Sequence, residues 1–285
     1  MINLHERIDA FRKKLLEKPH IAFLVIFGSF ICILFIKSLT NILRAFISSD
    51  LFYLFLHFII VMLIYAFYSF YFVPFVLHLP DGNQTFSNYL KSLGLTRSGF
   101  SLKIIFLGLV LGILVLVGFF CTDIILGELY TITIDFNQIV QFPNLINLGY
   151  FTFVDQVSPA LWEEIIFRGI MITILLKRLS PRTAITIDGF LFGIFHIDSL
   201  THIIYTFCFG ITLAYLYVKT SNLIPCIIAH YVNNILSFVI STNNIPISVS
   251  FIQVCLQSFI VATLGLGMIK LYEKLGMVPE RSIDK

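Results

Sequence analysis

Two carboxylates and a guanidinium occur close together at Glu163, Glu164 and Arg168, in a segment otherwise apolar enough to cross a membrane. An ionised side chain at bilayer depth costs about 2.5–3.5 kcal/mol, so this cluster indicates a functional site. Glu164 and Arg168 are four positions apart and would share a helix face, where they can form an ion pair. Glu163 is rotated by about 100° from Glu164 and has no such local partner. The spacing therefore predicts a structural glutamate beside a glutamate that is free to act as a general base.

Two further residue pairs follow at helical spacing. Phe192 precedes His196 by four positions and His230 precedes Asn234 by the same interval, so each pair would lie on one helix face. A glutamate, two imidazoles and an amide that converge in a helix bundle could activate water. The glutamate takes the proton, while the other groups orient the water and stabilise the developing oxyanion. Glycines that would allow close helix approach around such a site occur at positions 189, 193 and 210.

The same side chains could instead hold a divalent metal such as zinc, for which histidine and glutamate are common ligands. The candidate metal ligands are Glu163, His196 and His230, whereas Asn234 would be a poor fourth ligand. The HExxH pattern of helix-borne zinc proteases is absent from the sequence. The residue types fit both metal-free and metal-assisted hydrolysis.

The composition predicts an all-α, polytopic membrane helix bundle. Of 285 residues, 58% are hydrophobic and 12% are charged, about half the charged fraction of a soluble domain. The mean hydropathy is +0.93. The net charge of +3 is too small to indicate a nucleic-acid partner, so none is expected. The five scattered cysteines predict neither a disulfide framework nor a zinc knuckle.

Hydrophobic runs of about 20 residues, the length that crosses a bilayer, predict about eight transmembrane helices. They cover about 20–39, 52–79, 103–126, 147–176, 183–198, 201–219, 222–241 and 251–272. With eight spans, sixteen of the nineteen Lys and Arg residues fall on one side of the membrane, which predicts cytoplasmic N- and C-termini. We expect a single membrane-embedded domain over 1–285, with a basic cytoplasmic segment at 1–20 and a cytoplasmic tail at 273–285.

These motifs, in this order, resemble the CPBP family, which includes the CAAX prenyl proteases of the Ras-converting type and the bacteriocin-processing and self-immunity (Abi-like) proteins. The family shows EExxxR, then FxxxH, then HxxxN, on separate transmembrane helices, and the positions quoted above match this pattern. The resemblance covers about residues 85–240 and is strongest over 158–234. One departure precedes the third motif, where Ser221-Asn222 stands where many relatives carry a glycine. We expect it to affect the loop and leave the chemistry unchanged.

The resemblance implies an intramembrane endopeptidase. Carried over to this chain, Glu163 matches the glutamate that activates water, and His196 matches its partner in holding that water. His230 and Asn234 match the residues of the oxyanion site. The resemblance leaves both metal-free and metal-dependent mechanisms open; we favour the metal-free one, with no cofactor required.

Three further positions match supporting residues of the family: Glu164 and Arg168 beside the general base, and Phe192 as a packing residue. Asp188 lies inside the fifth predicted span, two helical turns before His196. It could support the reactive residues from behind or line the same cavity, or it could mark the cytoplasmic boundary of the span, and the sequence leaves these interpretations open.

The expected reaction is hydrolysis of a peptide bond in a membrane-associated or lipidated peptide or protein, with the lipid bilayer as the other partner. Whether the substrate is prenylated is not determined by the sequence. The richness in Ile and Asn is typical of proteins from AT-rich genomes, which favours a bacterial source and therefore a bacterial cell membrane. One alternative is a non-proteolytic bacteriocin-immunity or scaffold protein that keeps the family fold. A transporter that uses the buried charges as an ion or proton relay is less favoured, because the ionisable candidates cluster on three helices instead of following a path.

Overall fold

The computed structural model describes residues 50–69, 94–95, 101–126, 156–176, 178–196, 199–242 and 251–276, with scattered positions between 27 and 47. Within these ranges, every regular element is a helix. The predicted basic segment at 1–20 and most of the tail after Lys274 lie outside the described residues. The all-α prediction is confirmed for the part of the chain that the structure describes.

Within the described ranges, each predicted span from the second to the eighth overlaps a helix. They are α1 (Asp50–Phe67), α2 (Leu102–Leu126), α3 (Ser158–Glu164), a π-helical segment (Ile165–Met171), α4 (Ile172–Leu175), α5 (Pro181–Phe195), α6 (Leu200–Thr220), α7 (Ile224–Thr242) and α8 (Phe251–Lys274). Three described segments are long and apolar enough to cross a membrane, judged by length and composition: Leu102–Thr122, Leu200–Thr220 and Phe251–Lys274. Most of the first predicted span, 20–39, falls outside the described residues.

The segment that carries the glutamates is continuous helix from Ser158 to Leu175, but it changes its winding on the way. Pro159 sits in the first turn of α3, where the missing N–H is not needed for the helix ladder. Directly after Glu164 the helix widens into the π-helical segment, a rare geometry that often occurs at functional sites.

Three contacts between elements bring the motifs together: helix α3 packs against α7, and the π-helical segment packs against α5 and α6. Helices α2 and α8 pack on each other, while α2 also packs on α7 and α8 on α6. Trp162 anchors α3 to α1, because its ring stacks on Tyr65 and its indole N–H donates to the sulfur of Met62 at 3.3 Å. Trp162 is itself buried.

Helices α5 and α6 touch through glycines, as the sequence predicts. A Cβ on Gly189 would lie 2.7 Å from the side chain of Ile211 and 3.0 Å from its backbone nitrogen. A Cβ on Gly210 would lie 3.1 Å from both the Cα of Gly189 and the ring of Phe192. The two helix backbones therefore approach closely at these glycines. The backbone carbonyl of Gly210 is left free of side-chain cover and accepts a hydrogen bond from Arg168.

The sequence departure at Ser221 lies in the turn between α6 and α7. This residue caps the end of α6 in the left-handed conformation, with φ of 49°. Glycine adopts this conformation readily, whereas a residue with a side chain does so at a cost of about 1–2 kcal/mol. The Oδ1 of Asn222 then accepts from the backbone N–H of Ile224 at 3.0 Å and starts α7. The turn is also bound from outside, because the N–H of Leu223 donates to the carbonyl of Gly94 at 3.2 Å.

The glycine contact generates a stability prediction. Gly189→Ala should lower the free energy of unfolding by about 1–3 kcal/mol, because the added methyl group meets backbone atoms of α6 that cannot move alone. Gly267→Ala is the matched control, since a Cβ there meets nothing within 4 Å, and it should be neutral or slightly stabilising. Thermal unfolding of both variants in the same detergent measures the difference. Equal melting temperatures would contradict close packing at Gly189.

Candidate active site

The site forms where α3 passes into the π-helical segment and meets α5, α6 and α7. Glu163 and Glu164 are the last two residues of α3, and both are buried. Adjacent helical residues point in directions about 100° apart, so the two carboxylates face different neighbours. Glu164 faces the interior of the bundle and Glu163 faces the two histidines.

Arg168 is the centre of a buried ionic network. Its guanidinium donates to Oε1 of Glu164 at 2.9 Å and to the carbonyl of Gly210 at 3.0 Å, and its Nε lies 3.5 Å from Oδ2 of Asp188. The side chains of Arg168, Glu164 and Asp188 are all fully buried. The predicted pairing of Glu164 with Arg168 is therefore present in the structure. The same guanidinium also holds α5 through Asp188 and α6 through Gly210.

Phe192 covers this network on one side. Its ring lies 4.4 Å from the guanidinium carbon of Arg168, a cation–π distance, and packs edge-on against Phe167. Phe192 also packs against the rings of both His196 and His230. The resemblance implies a packing position here, and the ring contacts both the guanidinium of Arg168 and the two histidines.

His230 lies on α7 and is held by the second glutamate. Its Nδ1 is 2.8 Å from Oε1 of Glu164, and the ring is buried. A carboxylate accepts hydrogen bonds and does not donate them, so Nδ1 of His230 carries a hydrogen and donates to Glu164. This contact fixes the orientation of the ring and leaves Nε2 facing Glu163.

His196 is positioned by the end of a helix. The sequence places it within a predicted span, but α5 ends at Phe195, and His196 is the non-helical residue that follows. Its Nδ1 lies 2.9 Å from the carbonyl oxygen of Phe192, which can only accept, so Nδ1 donates. In the neutral ring, Nε2 is then an acceptor.

One carboxylate oxygen of Glu163 faces both histidines. Its Oε2 lies 3.6 Å from Nε2 of His196 and 3.8 Å from Nε2 of His230. This oxygen forms no hydrogen bond within the described part of the chain. The side chain of Glu163 remains 12% exposed, whereas that of Glu164 is fully buried. The structure therefore brings Glu163, His196 and His230 to one point, where a small molecule could contact all three.

Asn234 lies one turn beyond His230 on α7 and is partly exposed. The neighbouring Asn233 is buried, and its Oδ1 accepts from the hydroxyl of Tyr205 at 2.5 Å. The hydrogen bonds that hold Glu163, His196 and His230 in the described ranges do not include Asn234. Its place in an oxyanion site stays a prediction.

Three partners in the site have contacts that the sequence did not specify. Asp188 is fully buried and pairs with Arg168, which agrees with the interpretation of a residue that supports the site and not with that of a boundary residue. Gly210 contributes its backbone carbonyl as an acceptor for Arg168. A backbone acceptor cannot be predicted from a pattern of side chains. The ring of His202, in the first turn of α6, packs edge-on against His196 at 5.1 Å between centroids. A buried aspartate in an apolar segment was the one signal that could have pointed to this network.

The candidate metal site is tested by the geometry of its donors. No three His, Cys, Asp or Glu residues in the described ranges form a ready metal site. Glu163, His196 and His230 nevertheless have suitable donor atoms, and the Nε2 atoms of the two histidines lie 3.6 and 3.8 Å from Oε2 of Glu163. Each Nδ1 is hydrogen-bonded to a neighbouring oxygen, as is usual for histidines that bind a metal through the other ring nitrogen. The donor types therefore suit a metal, which these three residues would hold, and metal dependence stays a prediction.

The ionic network generates a second prediction. Arg168→Met should destabilise the protein by about 3–5 kcal/mol, because it leaves two buried carboxylates without their cation. The triple variant Arg168→Met, Glu164→Gln, Asp188→Asn should recover a large part of this loss, since it removes the uncompensated charges as well. Thermal unfolding in detergent compares the two. If the triple variant is no more stable than the single one, the cost lies in packing and not in charge.

Residues 146–236 match the family model described as Rce1-like, type II CAAX prenyl endopeptidase Rce1-like. No curated protein and no solved structure matches the chain. The matched region contains the glutamate pair, both histidines, Asn234 and the elements from α3 to the first part of α7 that position them. Residues 146–236 are therefore similar to the Rce1-like, type II CAAX prenyl endopeptidase family, in agreement with the resemblance to the CPBP family.

Proposed function

We propose that the protein is an intramembrane endopeptidase in which Glu163 is the general base. The family match indicates a membrane-embedded endopeptidase. The observation that carries the mechanism is the convergence of two imidazole Nε2 atoms on one carboxylate oxygen of Glu163 that has no hydrogen bond within the described residues. A general base must be within hydrogen-bond reach of the proton that it takes, and this oxygen is available for that purpose.

The hydrogen-bond directions support a defined orientation for the attacking water. Oε2 of Glu163 and Nε2 of His196 are both acceptors, and their separation of 3.6 Å allows one water molecule to donate a hydrogen to each. Such a water has its oxygen lone pairs directed away from both groups. A carbonyl carbon placed on that side would be attacked directly, so the two residues would position the nucleophile as well as deprotonate it.

Proton transfer then balances the hydrolysis. The water oxygen forms a bond to the carbonyl carbon as its proton passes to Glu163, and the carbonyl becomes an oxyanion. His230, and Asn234 in the predicted role, would donate hydrogen bonds to that oxyanion, an interaction that typically contributes a factor of roughly 10²–10³ per donor in kcat. The carbon–nitrogen bond breaks, and Glu163 returns the proton to the leaving amine. Glu163 therefore ends the cycle as it began.

The proposed substrate is a membrane-associated or lipidated peptide or protein, cut near the membrane surface. The partial exposure of Glu163 and His196 supports access from one side of the bundle. We further propose eight spans with cytoplasmic termini in a bacterial cell membrane, supported by the one-sided distribution of Lys and Arg. The ionisable residues of the motifs gather at one point of the bundle, which favours a site over a transport path.

Loss of the base provides the direct test. Purified protein is incubated with a panel that includes a farnesylated CAAX peptide, a lipopeptide and a signal-type peptide. Glu163→Gln should lower kcat by several orders of magnitude on whichever peptide the wild type cleaves, because Gln accepts no proton. His196→Ala should also lower kcat strongly.

The matched control for Glu163→Gln is Glu273→Gln. Glu273 pairs with Lys219 at 2.6 Å between α8 and α6, so this variant removes a carboxylate of similar burial outside the site. It should retain activity. Cleavage by Glu163→Gln at the wild-type rate would refute the assignment of the base.

Metal dependence is tested separately. On the metal-free mechanism, activity should be unchanged after dialysis against a strong chelator, and added zinc should not increase it. Measurement of cleavage rates before and after dialysis, together with elemental analysis of the protein, checks this. Loss of activity that zinc restores would reject the metal-free mechanism and favour the ligand set Glu163, His196 and His230.

A further inference from the structure

Helices α5 and α6 run in opposite directions, so the start of one lies beside the end of the other. Gly189 lies against Ile211, whereas Gly193, one turn later on α5, lies against Ile203, which is earlier on α6. The start of α5 and the end of α6 are therefore at the same end of the bundle. The end of α5 and the start of α6 lie at the opposite end.

Helix α2 begins at the end of the bundle where α6 finishes. Gly108 of α2 lies against Ile228 of α7, and Gly112, one turn later, lies against Val232. The two helices therefore run in the same direction. Since α7 begins directly after the turn that follows α6, the start of α2 is also at this end.

Helix α8 ends there too, because Glu273 in its last turn pairs with Lys219 in the last turn of α6 at 2.6 Å. Of the seven Lys and Arg residues that the structure describes, all but the buried Arg168 lie at or near this end, which we call the basic end. They are Lys103, Arg178, Arg182, Lys219, Lys270 and Lys274. Basic residues favour the cytoplasmic side of a membrane, so the basic end is expected to face the cytoplasm.

The reactive residues lie towards the opposite end of the bundle. His196 is the first residue after α5, and His202, whose ring packs on it, lies in the first turn of α6. Helix α5 has 15 residues and is therefore about 22 Å long, which separates His196 from the basic end. Glu163 lies in the first half of its continuous helix, which leads from Ser158 towards Arg178 at the basic end.

Exposure decreases along the site in the direction of the basic end. The side chain of His196 is 18% exposed, that of Glu163 is 12% exposed and that of His230 is 5% exposed. The ionic network around Arg168 lies nearer to the basic end, and its three side chains have no exposed surface. A substrate therefore reaches Glu163 from the end of the bundle that carries His196, and not through the ionic network.

We propose that the active site opens on the non-cytoplasmic side of the membrane and that its substrate is a peptide segment already translocated to that side. An exported, membrane-anchored peptide and the translocated part of a membrane protein both meet this requirement. A protein that is lipidated at its C-terminus in the cytoplasm does not, because its scissile bond would lie across the bilayer from Glu163. The inference rests on the proposed function, since it specifies the side of the membrane on which that hydrolysis takes place.

Ser180 and Ser199 provide a matched pair for a test of orientation. Both are exposed, and each caps the start of a helix with its side chain, Ser180 at the basic end and Ser199 at the end that carries His196. Ser180→Cys and Ser199→Cys are expressed separately in a bacterial host, and spheroplasts are treated with a membrane-impermeant maleimide. Ser199→Cys should be labelled in intact spheroplasts, whereas Ser180→Cys should be labelled only after lysis. The wild type gives the background, because its five cysteines are buried or only partly exposed.

Cleavage by oriented vesicles is the second measurement and needs no cysteine variant. A panel peptide that the wild type cleaves in detergent is linked to a charged, membrane-impermeant fluorophore. It is then added outside right-side-out or inverted membrane vesicles that contain the protein. Right-side-out vesicles should cleave the peptide, and inverted vesicles should cleave it only after detergent opens them. Vesicles that contain Glu163→Gln give the background rate.

The opposite orientation in either measurement would overturn the inference: labelling of Ser180→Cys but not Ser199→Cys in intact spheroplasts, or cleavage by intact inverted vesicles alone. If Ser199→Cys does not fold, Leu200→Cys takes its place, because this side chain is 63% exposed and forms no helix cap. If no panel peptide is cleaved in detergent, the proposed function fails on that panel, while the labelling still decides which side of the membrane the site faces.

Discussion

The arrangement of the site depends on one buried cation. Arg168 has no exposed surface and must be neutralised inside the bundle, so Glu164, Asp188 and the carbonyl of Gly210 are all drawn to it. A buried ion pair is weak evidence for stability, because desolvation offsets most of the attraction. Its effect here is geometric: three elements must keep one registry for the charges to meet, and any other registry leaves a charge unpaired.

The reactive groups are placed by irregular features at the edge of this network. The π-helical segment begins directly after Glu164, and His196 lies just past the end of α5, where its Nδ1 returns to the carbonyl of Phe192. Glu163 is left as the carboxylate that the buried cation does not reach. The network therefore divides the two adjacent glutamates into one that orients His230 and one that remains free to react.

Local spacing in the sequence was sufficient for part of this picture. The interval of four between Glu164 and Arg168 predicts their ion pair, and hydropathy predicts the positions of α2, α6, α7 and α8. The bond from His230 to Glu164 joins residues 66 positions apart, and a tertiary contact of this kind leaves no periodic signature. The π-helical winding and the end of α5 at Phe195 were also not predicted, because neither has a distinctive residue preference and packing decides both.

The separation of these partners along the chain has a consequence for biogenesis. The pair between Glu164 and Arg168 is available as soon as their helix winds, so the segment can enter the bilayer with much of its charge already masked. Asp188 and the carbonyl of Gly210 emerge from the ribosome later, and the latter is 42 residues downstream of Arg168. In the proposed membrane bundle, this helix would therefore be only half-neutralised until α5 and α6 are made, and the ionic network would be completed late in assembly.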